Sequence, residues 1–134
     1  MSVLWRGKRI EKGERIVGAI LDSGDRTEFE TGAKRDMHEG KGRLDLLPCN
    51  AILELAKHCE NGAKKYGERN VDKGIPQHSF IDSGLRHVFK YLRGDRDENL
   101  LVAALWNIAW AVEQEVSKPQ MQDIPSRMEG ERNA

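Results

Sequence analysis

Between residues 32 and 98 the chain sets lysines and arginines among glycines and carboxylates: GAKRD at 32–36, GKGRLDLLP at 40–48, GAKKYGERN at 62–70, LRH at 85–87 and RGDRDE at 93–98. Cations flanked by glycine suit triphosphate oxygens, because mobile backbone lets ammonium and guanidinium donors close on several oxygens together. Carboxylates placed between those cations suit the divalent ions that travel with a triphosphate. The chemistry suggested is that of a nucleotide-handling site.

Lys34, Arg35, Lys41 and Arg43 sit among Gly32, Gly40 and Gly42. They read either as a flexible clamp for phosphates or as a solvated basic loop balanced by Asp36, Glu39 and Asp45. The spacing and preceding strand of a P-loop are both missing. Lys64, Lys65 and Arg86 are further candidates for the triphosphate, and Tyr66 and Asn70 for the base.

Glu54 and His58 lie four apart, as do Glu60 and Lys64. Such pairs hold a metal or form surface ion pairs contributing roughly 0.2–0.5 kcal/mol. Glu54 is the first candidate for catalysis and for metal ligation, and Asp82, His87 and Asp97 extend the candidate metal set. Two of these have an ordinary alternative. Asp82 follows Ser79 at the capping-box spacing, and Asp97 stands where a helix N-cap is wanted. Asn107 is the single amide in an apolar run of 13 residues, 100–112. Burying it unpaired costs on the order of 1–3 kcal/mol, so it makes either a register-fixing hydrogen bond or a substrate contact.

These residues need elements to position them. A chain of 134 residues forms one domain with a core that folds without staples. The first thirty or so residues (1–31) are weakly patterned, with RIVGAIL at 15–21 as a possible short strand. Residues 31–45 hold three glycines and seven charges and read as a loop. Three helices follow, expected over 48–66, 79–93 and 97–116, with Gly67 and Gly94 as stops. The expected fold is all-α, a small helical bundle, with the catalytic helical domain over 32–117 and a disordered tail over 118–134. The third helix is apolar nearly all round: Leu101, Leu105, Ile108 and Val112 lie on one side, Trp106 and Trp110 on the other. A second buried face points to a homo-oligomer, with the tryptophan side as the expected interface.

Formal net charge is zero, which supplies no long-range field for nucleic acid or an anionic membrane, so direct nucleic-acid binding is not expected. Cys49 and Cys59 fit no zinc spacing and read as reduced thiols. No apolar leader precedes the domain, and no apolar run is long enough to span a bilayer. The expectation is a soluble protein of the cytoplasm, the host's if the chain is phage-encoded.

Taken together, GAKRDMHEGKGRLDLLP, ELAKHCENGAKKYGERN, LRHVFKYLRGDRDE and ALWN resemble the small phage dATP/dGTP diphosphohydrolases of MazZ type, related in character to the all-α MazG-like nucleotide pyrophosphohydrolases. The resemblance covers about 31–113. It implies an oligomeric, all-helical enzyme that uses a divalent metal (Mg²⁺, Mn²⁺ or Co²⁺) to cleave a purine deoxynucleoside triphosphate, dGTP or dATP, to the monophosphate and diphosphate. In phages that replace adenine with 2-aminoadenine, the dGMP so made feeds synthesis of the modified nucleotide. One departure stands out. MazG-like enzymes bind metal through ExxE and ExxD helices, whereas here Lys57 falls three after Glu54, and Asn107 falls three after Ala104. A non-catalytic nucleotide-binding or protein-interaction module of phage origin would use the same basic loop without converging carboxylates.

Overall fold

The computed structural model describes residues 24–37 and 39–128, and the backbone of two short strands before them, β1 (Val3–Trp5) and β2 (Lys8–Ile10). The chain divides into two compact units, Met1–Leu46 and Leu47–Ala134. Much of the weakly patterned segment expected over 1–31, including the strand expected at 15–21, lies outside the described residues.

The first unit holds two antiparallel hairpins. β1 pairs with β2, Leu4 opposite Arg9, and β3 (Arg26–Glu28) pairs with β4 (Lys34–Asp36), Thr27 opposite Arg35. The loop expected over 31–45 therefore contains a strand. Gly32, at φ 89°, turns the second hairpin, its N–H bonding Phe29 O at 2.8 Å, and Arg26 closes the open end on Asp36 at 2.8 Å. Alternating charges across the pair supply what the apolar pattern lacks, which is why hydropathy did not show the hairpin.

The second unit is helical, as expected: α1 (Cys49–Tyr66), α2 (Gln77–Arg93) and α3 (Leu100–Ser117). Gly67 ends α1 with its N–H on Ala63 O at 2.8 Å. At the end of α2, Gly94 is left-handed and bonds Tyr91 O while Asp95 N–H reaches back to Lys90 O, the paired hydrogen bonds of a Schellman cap. Two expected starts are corrected. The second helix begins at Gln77, after Pro76, so Ser79 is no cap and makes no box with Asp82. The third begins at Leu100, after Asn99, and Asp97 caps nothing; its carboxylate lies 3.6 Å from Lys90 Nζ.

Both other helices rest on α3. α2 runs antiparallel to it: Gln77 bonds Ala111 O, Gly84 faces Ile108, and His87 meets Glu98. The core is correspondingly small: Phe80, Leu100, Ala103, Ala104 and Ala111 are buried. Gly84, Ala103, Ala104 and Ala111 let the helices approach closely, and Phe80 meets Trp106 edge-on at 6.1 Å. The side of α3 that stays uncovered in the unit is not the one expected. Trp106 and Trp110 are half-buried within the unit, while Leu101, Leu105, Ile108, Val112 and Val116 are exposed beside Leu85, Phe89 and Leu92 of α2. No helix among the described residues is long and apolar enough to cross a membrane.

Residues 118–128, read from composition as the start of a disordered tail, form two 3-10 turns, Pro119–Met121 and Pro125–Arg127. Asp123 accepts the His78 N–H at 2.9 Å and also pairs with the His78 ring. It thereby serves the start of α2, where Pro76 offers no side-chain cap. The His78 hydrogen bonds hold the Asp123 carboxyl below its ordinary range.

The close approach at Gly84 gives a direct test of this packing. A Cβ there would lie 3.2 Å from Ile108 Cδ1 and 3.4 Å from Asn107 Cβ. Gly84→Val adds two further methyls at that contact and should cost about 1–3 kcal/mol as overpacking. A lowered melting temperature in circular dichroism is expected; an unchanged one would mean the helices are not in contact there.

Candidate active site

A cavity of about 580 Å³ opens in the helical unit between α1, the loop 67–76 and α3. Ala63 and Tyr66 of α1 and Trp106 and Trp110 of α3 form apolar and aromatic walls, and Glu68, Arg69, Asn70 and Asp72 supply the polar groups. The two indoles lie 6.3 Å apart, and Lys65 Nζ stands 5.1 Å from the Tyr66 ring centroid. Flat aromatic walls with a few polar groups on one side are what a nucleobase needs: stacking area, and an edge to hydrogen-bond.

The loop that carries the polar groups is held in an uncommon shape. Asn70–Lys73 is a 3-10 turn, and Arg69 is left-handed at φ 63°, the one non-glycine residue with positive φ among the described residues. A side chain held there costs of order 1–3 kcal/mol and persists only where its surroundings over-determine it. What holds it comes from α3. Gln114 Oε1 accepts the Ile75 N–H at 3.0 Å, and Gln114 Nε2 donates to Ile75 O at 2.6 Å and to Gln77 Oε1 at 2.9 Å. Gln77 Nε2 in turn donates to Ala111 O at 3.0 Å. Met121 covers Gly74 from the C-terminal segment.

The expected site residues divide between places. Tyr66 and Asn70, expected to meet the base, both line the cavity. Lys65 stands at the Tyr66 ring, and Lys64 pairs with Glu60 at 3.4 Å. Arg86 pairs with Asp82 at 2.8 Å on the exposed side of α2. Asn107 is buried, away from the cavity lining, and donates Nδ2 to Ala103 O of its own helix at 2.8 Å. Lys34, Lys41 and Arg43 belong to the first unit. There Lys34 lies in β4, and Lys41 is exposed between Gly40 and Gly42, both at positive φ. Arg43 forks onto Asp45 with two hydrogen bonds of 2.8 Å, which push its pKa above the ordinary value.

The candidate metal ligands do not converge. Glu54 bonds Lys57 at 3.0 Å, Asp82 bonds Arg86, Asp97 faces Lys90, and His87 lies 3.3 Å from Glu98 with Nδ1 donating to Ser83 O. Among the described residues no group of three His, Cys, Asp or Glu side chains is gathered for an ion. These side chains as placed do not fit a resident metal centre. What His87 and Glu98 do form is a polar patch with His58, beside Trp106. The His58 and Trp106 rings are 5.8 Å apart. Burial and then the His87 charge press the His58 pKa down, and Glu98 opposes them, so the neutral imidazole is favoured.

The family model for dATP/dGTP diphosphohydrolase, N-terminal, matches residues 31–124. The chain belongs to that family. No curated protein and no solved structure gave a match. The matched region runs past α3 and takes in Asp123, so it includes residues 118–124 of the segment expected as a tail.

Several of the family member's cavity residues escaped the sequence reading. Trp106 and Trp110 were assigned to an interface, although their i, i+4 spacing and the small residues of α1 (Cys59, Gly62, Ala63) were a usable sign of a cavity. Gln77 and Gln114 gave no signal, because an amide at a helix end looks like surface. Gln114→Leu is expected to strand the half-buried Ile75 and buried Gln77 polar groups, each lost partner costing about 1–3 kcal/mol. Amide exchange at Ile75 and Asn70 should accelerate much more than exchange in the middle of α2. Uniform acceleration across the unit would show that Gln114 serves general stability and not the loop.

Proposed function

We propose that this family member hydrolyses a purine deoxynucleoside triphosphate, dGTP or dATP, to the monophosphate and diphosphate, with the base held in the Tyr66–Trp106–Trp110 cavity. The observation that carries the reading is that cavity, set in a chain of a family named for dATP/dGTP diphosphohydrolases. Stacked between aromatic walls, a base would direct its sugar and phosphates to the cavity mouth, where Lys65 and Lys64 of the last turn of α1 are exposed. Water attack at the α-phosphorus would release diphosphate and leave the nucleoside monophosphate. A divalent ion enters this proposal as the counter-ion of the triphosphate, part of the substrate. Glu54 is the proposed catalytic carboxylate. It is less exposed than Asp82 and Asp97, and it stands on α1 ahead of the residues of that helix, from Cys59 on, that line the cavity. The resemblance to phage enzymes extends the proposal to a role in supplying dGMP for 2-aminoadenine DNA.

Purified protein with Mn²⁺ or Co²⁺ is expected to convert dGTP to dGMP plus diphosphate, and EDTA to stop it. Glu54→Gln should lower the rate at least ~100-fold with little change in melting temperature, the scale seen when a transition-state electrostatic contact is removed. Release of inorganic phosphate would assign a different bond. Binding without turnover would leave a nucleotide-binding module.

The proposal includes a homo-oligomer formed through the exposed side of α2 and α3. Leu101, Leu105, Ile108 and Val112 repeat at three- and four-residue spacing beside Phe89 and Leu92, an apolar patch that a monomer avoids. Light scattering at micromolar concentration should give a multiple of the 15.2 kDa chain mass, and Leu105→Glu with Val112→Glu should reduce it to the monomer. A monomeric wild-type mass would remove the oligomer from the account.

A further inference from the structure

The charged and carboxamide side chains of the cavity all come from one short stretch, residues 68–72. The rest of the lining is aromatic, aliphatic, a thiol or glycine; the Tyr66 hydroxyl and the two indole N–H groups can also meet a base, but only 68–72 supply a carboxylate able to accept two adjacent donors. Two of these side chains have opposite abilities. Asn70 carries both a donor and acceptor, whereas the Asp72 carboxylate only accepts. The purines differ in the same terms. Guanine presents N1–H and N2–H₂, two adjacent donors, and then the O6 acceptor. Adenine presents an N6–H₂ donor beside the N1 acceptor, and nothing but C–H at position 2. A carboxylate matches the guanine pair with two parallel charge-assisted hydrogen bonds and meets the adenine N1 lone pair with repulsion.

The structure favours Asp72 over Glu68 for that role. Glu68 is exposed, next to Gly67 at positive φ. Asp72 is half-buried inside the 3-10 turn, and its backbone N–H is bonded to Arg69 O at 3.1 Å. Arg69, fixed in its left-handed conformation, brings a guanidinium to within 3.5 Å of Asp72 Oδ2. At that length the contact is a surface ion pair and not a good hydrogen bond, so the carboxylate oxygens remain able to accept. Gln114 pins the same loop at Ile75.

We propose that Asp72 is a specificity-determining residue of the site, accepting N1–H and N2–H₂ of guanine and so favouring guanine over adenine nucleotides, while Asn70 serves the position-6 group of either purine. The proposal rests on the reading of the cavity as the base site. It makes the 2-amino group a positive determinant of binding.

Quenching of tryptophan fluorescence by dGMP, dIMP and dAMP, without turnover, tests both layers separately. The wild-type protein should bind dGMP several-fold more tightly than dIMP, which keeps N1–H and lacks only the 2-amino group. Asp72→Asn should weaken dGMP roughly 10–100-fold, the loss of a charge-assisted pair, and change dAMP less than about threefold. Equal wild-type affinities for dGMP and dIMP would overturn the proposal without any variant. So would a parallel loss of dGMP and dAMP in Asp72→Asn, although saturable quenching by both would leave the base site standing. A wild-type protein bound by no purine nucleotide would overturn the base-site reading and the proposal together.

Discussion

The carboxamide of Gln114 holds the two sides of the candidate site in register. Through one side chain, α3 accepts the N–H of Ile75, donates to its C=O and engages Gln77 at the start of α2. Each of these groups is buried or half-buried, so each bond is worth its net contribution plus the penalty of leaving the partner unpaired. The left-handed Arg69 and the 3-10 turn after it lie between this anchor and the fixed end of α1 at Gly67. The polar edge of the cavity is therefore set by two rigid helices rather than by the loop's own propensities.

A second constraint is the size of the side chains along α3. Alanines and the facing Gly84 bring α2 close, so the bulky tryptophans are left to face α1 and the loop. Close packing on one side and a cavity on the other are two results of a single arrangement of small and large residues. Leucine and valine on the remaining side stay exposed among the described residues.

How far the sequence revealed this follows from which forces leave periodic marks. Apolar spacing located all three helices, and Gly67 and Gly94 located their ends, because a helix stop needs a residue tolerant of positive φ. The starts at Ser79 and Asp97 were misplaced. A side-chain cap is one of several ways to satisfy the first N–H groups, and α2 uses Asp123, distant in sequence. Tyr66 and Asn70, candidates for the base because they flank a glycine stop in a polar loop, line the cavity. That Trp106 and Trp110 line a cavity is not legible in sequence, since a helix that is apolar all round does not say which side its own domain covers. Asp82 and Asp97 read as ligands because carboxylates near cations look alike in sequence. In the structure they face Arg86 and Lys90.

The proposed function depends on a purine lying between the aromatic walls. Intermolecular nuclear Overhauser effects from the protein saturated with dGMP test this. Transfer is expected from purine H8 and deoxyribose H1′ to the indole protons of Trp106 and Trp110 and to the ring of Tyr66. Transfer confined to the first unit, with these three rings silent while dGMP is bound, would contradict it.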